Sequence, residues 1–274
     1  MSSPPKPREA NTAEFASVMH PEQFAVDWAG YYRYALEQGT RVRAAYPHER
    51  HVMYGTHDHQ LMNIFRPDGD PDRDDGWPVF VWAHGGAFRE GHPDFHDWLA
   101  PTFVSRGAIF VTIGYRLLPT PIADSIADYA RALGWLSQHI ATRGGDPHNL
   151  HIGGHSAGAM AAASLAVRDD WQAEAGMTAD AIVSLLGLSG IYDFAEQMRV
   201  GVLPPRDDAY QSVETPPQRT AGPTALARRV RDQRAEPQKR GRTNLRHEWQ
   251  SLCGAAEKCR GSRRRARASR CDPP

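Results

Sequence analysis

One short stretch restricts what this chain can fold into more than any other. Gly154-His155-Ser156-Ala157-Gly158 stands where an apolar run, Leu150 to Gly153, passes directly into an alanine-rich segment. A Gly-x-Ser-x-Gly turn between a strand and a helix uses glycine at both ends because the two elements approach closely there, and it lifts the serine above the edge of a sheet. A serine hydroxyl is a poor nucleophile until the backbone presents it on such a turn beside a base. The second feature lies 70 residues earlier: His84-Gly85-Gly86-Ala87-Phe88 directly follows the strand-like run Val79-Phe80-Val81-Trp82-Ala83. A His-Gly-Gly loop in that place is the expected source of backbone N–H groups facing the serine. The two motifs, in this order and context, point to acyl transfer to water.

The remaining pattern predicts the scaffold. Phe24, Trp28, Tyr31, Tyr32 and Leu36 recur at helical steps between Pro21 and Tyr46. Val52-Met53-Tyr54 and Leu61 to Phe65 read as two strands of a hairpin, and Pro67 to Gly76 reads as a solvated loop. Apolar runs at 79–83, 108–113, 150–153 and 181–188 then alternate with helical segments near 94–105, 122–142 and 157–168. That alternation predicts βαβ units and a mostly parallel α/β sheet with helices on both faces. Gly144-Gly145-Asp146-Pro147 is expected to break the chain before the serine-bearing strand.

Composition matters because it is uneven. The formal charge of the 274 residues is zero, yet residues 1–210 hold 16 Lys+Arg against 26 Asp+Glu, and residues 211–274 hold 16 against 6. The second segment has no Phe, Tyr, Ile or Met, and it contains all three cysteines, Cys253, Cys259 and Cys271. We therefore expect a polar arm over 1–20, an α/β core over 21–210 that is incomplete at its C-terminal end, and a basic, disordered tail over 211–274. Three readings of the tail stay open. It is an arm for nucleic acid or an acidic partner, carried by Arg263-Arg-Arg-Ala-Arg267; a cysteine metal site, against which the spacing speaks; or coding sequence read out of frame, which the Arg/Pro/Ala/Gly bias favours. Cysteine is absent from residues 1–210, and neither a signal-like start nor a membrane-length apolar run is present. These features predict a cytoplasmic protein with no membrane partner; the acyl-transfer reading adds a small-molecule substrate and no cofactor. Oligomeric state is left open.

The chain resembles the α/β-hydrolase fold through His84 to Phe88, Gly114-Tyr115-Arg116-Leu117-Leu118-Pro119, Gly145-Asp146-Pro147, Gly154 to Gly158 and Ser189-Gly190-Ile191-Tyr192-Asp193. Within that fold it is similar to the hormone-sensitive-lipase-like esterases and the kynurenine formamidases (arylformamidases). Tyr54-Gly55 and Asn63 to Pro67 resemble the early hairpin of the formamidase group, where an aspartate is usual in place of Asn63, and Ala87 stands where esterases usually have a third glycine. The resemblance covers roughly residues 21 to 200. It implies hydrolysis of carboxylic esters or aryl formamides, with Ser156 as nucleophile and the amides of Gly85, Gly86 and Ala157 as oxyanion donors. It also implies an acid and then a histidine after the serine. The residues on offer are Asp193, read first as a local packing or capping group, and His247, the one histidine that follows Ser156, read first as part of the basic tail.

The other histidines are read as surface or structural groups. His84 shapes its loop. His57 and His59 would share one side of a strand, and His92 and His96 stand at i,i+4 spacing on a helix, but neither pair gathers enough ligands for a metal. Phe88 is expected to line an aromatic-accepting pocket. Two further readings accompany the enzyme: a catalytically impaired hydrolase without its acid and base, and a basic-tailed interaction protein on a hydrolase scaffold.

Overall fold

The apolar runs become the strands of one sheet. The computed structural model describes residues 8–9, 27–168 and 170–192. All fall in the first of two compact units, Met1–Gln233. Helix α1 (Trp28–Ala45) is capped by Asp27, whose carboxylate accepts the Gly30 N–H at 2.8 Å. Strands β1 (His48–Met53) and β2 (Leu61–Phe65) follow as the expected antiparallel hairpin. Next come β3 (Trp77–Ala83), a 3₁₀ helix (Pro93–Leu99), α2 (Ala100–Val104) and β4 (Ile109–Ile113). Helix α3 (Ile122–His139) with a 3₁₀ turn (Ile140–Arg143), β5 (Gly145–His155), α4 (Ala157–Ala166) and β6 (Ile182–Leu188) complete the described part.

The strand order is β1-β2-β4-β3-β5-β6. The pairs β4·β3, β3·β5 and β5·β6 are parallel, so the sheet is mixed and mostly parallel, as the alternation predicts. Every residue of β2, β3 and β4 is buried, and this is the signature of strands covered on both faces. Alternation sorts their side chains. Val79, Val81, Val111 and Ile152 face α3 and α4, with Leu133, Leu136, Met160 and Leu165 packed on them. Phe80, Trp82, Phe110 and Phe65 face the other way, against Ala100 and Val104 of α2.

Three boundaries differ from the sequence reading. Strand β5 starts at Gly145 instead of Leu150. Trp77 N–H donates to the Gly144 carbonyl at 2.7 Å, and Gly145 pairs with Trp77, so the ladder forms across the breaker residues with a register shift beside them. The segment after the His-Gly-Gly loop is 3₁₀ and not α over 93–99. His57 and His59 lie in a turn between β1 and β2, so they share no strand face. Residues 1–7, 10–26, 169 and 193–274, with all of the arm but Arg8 and Glu9, the tail, Asp193 and His247, lie outside the described residues.

Candidate active site

Three strands end at the site. Strand β5 delivers Ser156, β3 delivers the loop from His84 to Gly91, and β6 supplies a carbonyl that holds the serine turn. Ser156 has φ 51° and ψ −115°, a conformation that a side chain rarely adopts, and α4 begins at the next residue. Such strain costs about 1–3 kcal/mol and persists only where the surroundings over-determine it. Here the Ser156 N–H donates to Leu188 O at 2.8 Å, and the Ser156 carbonyl accepts the Met160 N–H at 3.0 Å. The serine is half-buried, and among the described residues none hydrogen-bonds its hydroxyl.

The glycine loop is held through its carbonyls. Tyr115 Oη–H donates to His84 O at 2.7 Å. His84 Nδ1–H donates to Gly85 O at 2.7 Å, and Gly86 O accepts the N–H groups of Arg89 and Glu90 at 2.8 and 3.1 Å. Phe88 O accepts the Leu118 N–H at 2.7 Å. Among the described residues no acceptor takes the N–H of Gly85, Gly86 or Ala157. Ala157 directly follows the serine, and Gly85 lies against it: a methyl group added to Gly85 would lie 3.1 Å from Ser156 Cβ and 2.7 Å from His155 Nδ1. Gly86 has φ 116°, and a methyl group there would meet Glu90 O at 2.3 Å, so only glycine fits. Ala87 and Phe88 follow with φ of 53° and 58°, which extends the strained run along the loop.

Several neighbours were invisible in the sequence. His84 is buried, stacked on Tyr115 at 4.3 Å between ring centroids, and burial pushes its imidazole well below the usual range, so it is neutral. It shapes the loop, as read from sequence. Arg116 clamps the buried Asp128 of α3 through Nε at 2.7 Å and Nη2 at 2.9 Å, fixing the segment that carries Tyr115 and Leu118. Glu90 is buried with one oxygen taking the Tyr32 hydroxyl at 3.2 Å, while Oε2 has no hydrogen-bond donor. Burial raises its carboxyl to about 7. No local pattern marks these residues, because each acquires its place from contacts across strands.

Two expectations are corrected. Phe88 does not line a pocket; it is 1% exposed and belongs to the core beside Tyr115. Its positive φ turns the ring inward. His92 and His96 do not share a helix face. A 3₁₀ helix has three residues per turn, so positions four apart diverge. His92 caps the helix and faces His51, whereas His96 stacks toward His84 and Trp82.

Several of the proteins this chain resembles are esterases by name. Esterase LipC of Mycobacterium tuberculosis is 27% identical over 196 residues, which is 69% of this chain and 48% of the relative. The para-nitrobenzyl esterase of Bacillus subtilis is 36% identical over 117 residues, 38% of this chain and 23% of that protein. The chain thus spans about half the length, or less, of these curated relatives. Among solved structures, esterase B of Lactobacillus rhamnosis aligns with a TM-score of 0.53 at 19% identity, covering 81% of this chain and 66% of that one, a likeness of α/β-hydrolase fold. The carboxylesterase family matches residues 37–184, more than half of the chain and the whole stretch from α1 through the serine turn into β6, and the chain belongs to that family.

Proposed function

We propose that this chain carries the nucleophile and oxyanion half of a serine carboxylesterase acting on small carboxylic esters. One observation carries the reading. A serine held in a strained turn lies against Gly85, and among the described residues no acceptor takes the N–H of Gly85, Gly86 or Ala157. In the reaction Ser156 Oγ adds to the acyl carbon, the carbonyl oxygen becomes an oxyanion held by those amides, and the alcohol departs with a proton. Water then adds to the acyl-serine, and the acid is released. Preorganised amides of this kind contribute about 2.7–4 kcal/mol each to such a step. The base that takes the serine proton is assigned to a histidine oriented by a carboxylate; the sequence candidates, His247 and Asp193, lie outside the described residues.

Aryl formamides are the second substrate class, supported by the resemblance of the Tyr54-Gly55, Asn63 to Pro67 and Ser189 to Asp193 segments to the formamidase group. A catalytically impaired hydrolase is the competing reading. It rests on the sequence, in which the one histidine after Ser156, His247, stands between Arg246 and Glu248 in the basic tail. Loss of a triad base costs several orders of magnitude and leaves residual catalysis by the oxyanion hole.

The test offers full-length protein p-nitrophenyl acetate and, separately, N-formylkynurenine, with Ser156→Ala as control. Turnover of the ester that disappears in the alanine variant supports the esterase; turnover confined to the formamide moves the substrate class. Folded protein that turns over neither substrate above the Ser156→Ala control selects the impaired hydrolase.

A further inference from the structure

On the segment that follows the glycine loop and on β1, two histidines and an aspartate converge. The register of β1 against β2 shifts between Glu49 and Val52, and inside that bulge His51 takes φ 57°. Bulges re-aim side chains. This one is fixed by the His51 N–H donating to Asn63 Oδ1 at 2.9 Å. The His51 ring is thereby brought to Asp94, with Nε2 at 3.1 and 3.2 Å from the two carboxylate oxygens. His92, at the start of the 3₁₀ helix, places Nδ1 3.6 Å from Asp94 Oδ2. The three ligand atoms all lie within 4.8 Å of one another, His92 and Asp94 are fully buried, and His51 is nearly so.

We propose that His51, His92 and Asp94 form a binding site for a divalent d-block ion of the zinc class.

The donor set is two imidazoles and a carboxylate, which suits zinc and its neighbours. Spacing agrees with it. Ligands about 2.0–2.1 Å from a tetrahedral zinc stand about 3.3 Å apart, against 3.2 and 3.6 Å from Asp94 Oδ2 to His51 Nε2 and His92 Nδ1. Outer contacts already orient the ligands. His92 Nε2–H donates to the Arg8 carbonyl at 2.9 Å, which leaves its Nδ1 as the nitrogen with a lone pair. That lone pair accepts the Asp94 N–H at 3.2 Å, the contact the ion would replace. Asn63 Nδ2–H donates to Asp94 Oδ1 at 2.7 Å and holds the carboxylate in place. A second hydrogen bond that fixes tautomer and ring orientation is the recurring companion of a metal-ligating histidine.

Arg50 is the built-in competitor. Its Nη2 lies 2.6 Å from Asp94 Oδ2 and 2.9 Å from Glu9 Oε2, and its side chain is 35% exposed. The guanidinium can therefore release Asp94 while keeping Glu9. The ion enters from that side, displaces Arg50 and takes the lone pair of His51 Nε2, the ring's proton residing on Nδ1, which faces Glu9 Oε1 at 3.7 Å. A water would take the open position. Bound there, the ion would tie the β1 bulge to the helix that directly follows the glycine loop.

The test uses full-length protein after chelator treatment, in a Cys253→Ser, Cys259→Ser, Cys271→Ser background that removes the thiols. Co(II) is titrated with optical detection of four-coordinate cobalt, and Zn(II) with a thermal-shift readout. One equivalent is expected, with affinity falling at least tenfold in His51→Gln and in His92→Gln, and rising about tenfold in Arg50→Met. No binding at 100-fold excess zinc, or histidine variants that bind as the parent does, overturns the site. If a histidine variant does not fold, Arg50→Met decides: tighter binding supports the assignment and unchanged binding refutes it.

Discussion

Substitution of Gly158 by alanine is the sharpest probe of the serine turn. Gly158 is the second residue of α4, and its α-carbon faces the end of β3. A methyl group there would stand 2.2 Å from Ala83 O, 2.5 Å from His84 O and 2.6 Å from Ala83 C. All three obstacles are backbone, so no side chain can swing away. The nearest is 1.2 Å short of the 3.4 Å at which ordinary contact begins. To relieve the clash the first turn of α4 must lift from β3 by about 1 Å, and Ser156 and Ala157 move with it. Overpacking of this sort costs about 1–3 kcal/mol, and rigid obstacles put this site at the upper end. A displacement of about 1 Å at a reacting group costs about 100-fold in rate. The control is Gly107→Ala. That glycine has φ 71° with open space around it, so only left-handed strain of about 1 kcal/mol is incurred. Urea denaturation of both variants, followed by fluorescence, compares the two losses. If Gly158→Ala loses no more stability than Gly107→Ala, the close approach of α4 to β3 is wrong, and with it the placement of the Ala157 amide.

Other outcomes follow from the same geometry. The Tyr129 hydroxyl lies 3.0 Å from the carbonyls of Val81 and Gly153 and accepts the Gly153 N–H at 3.2 Å, so Tyr129→Phe is expected to cost about 1–3 kcal/mol in a urea titration; a change below 0.5 kcal/mol, roughly the scatter of surface substitutions, would refute the bridge. Burial depresses His84, so the unfolded chain takes up its proton first and stability falls as pH drops below about 6.5, by up to 1.4 kcal/mol per unit. His84→Asn is expected to flatten that slope; an equally steep slope in the variant would show that His84 is not the group concerned. Reading the coding DNA in its other two frames beyond codon 210 is expected to yield a strand followed by Asp or Glu and then a late histidine. Two frames without such a pattern leave residues 211–274 as genuine sequence.

What was legible beforehand was what is local in the chain. Ser156, Gly85 and Gly86 declare themselves because a tight turn needs glycine at set distances from the reacting group. The runs 79–83 and 108–113 read as strands because side chains buried on both faces leave no polar residue to interrupt them. Legibility ends where distant segments decide. Gly144 to Pro147 has the composition of a breaker, yet Trp77 opposite converts it into ladder. Phe88 looks like a substrate contact until a left-handed backbone turns it into the core. His51 and Asp94 are 43 residues apart, and only the bulge in β1 brings them together.

The hydrogen bond from Ser156 N–H to Leu188 O also sets an order of assembly. Leu188 leaves the ribosome 32 residues after Ser156. Until β6 has been made and has zipped onto β5, the strained serine backbone has no acceptor to hold it, and the relaxed turn is the stable one. The Ser156 turn thus gains this hydrogen bond only once β6 is in place. A nascent chain stalled before Leu188 would carry the serine without presenting it, so the sheet's own growth keeps the hydroxyl out of position during synthesis.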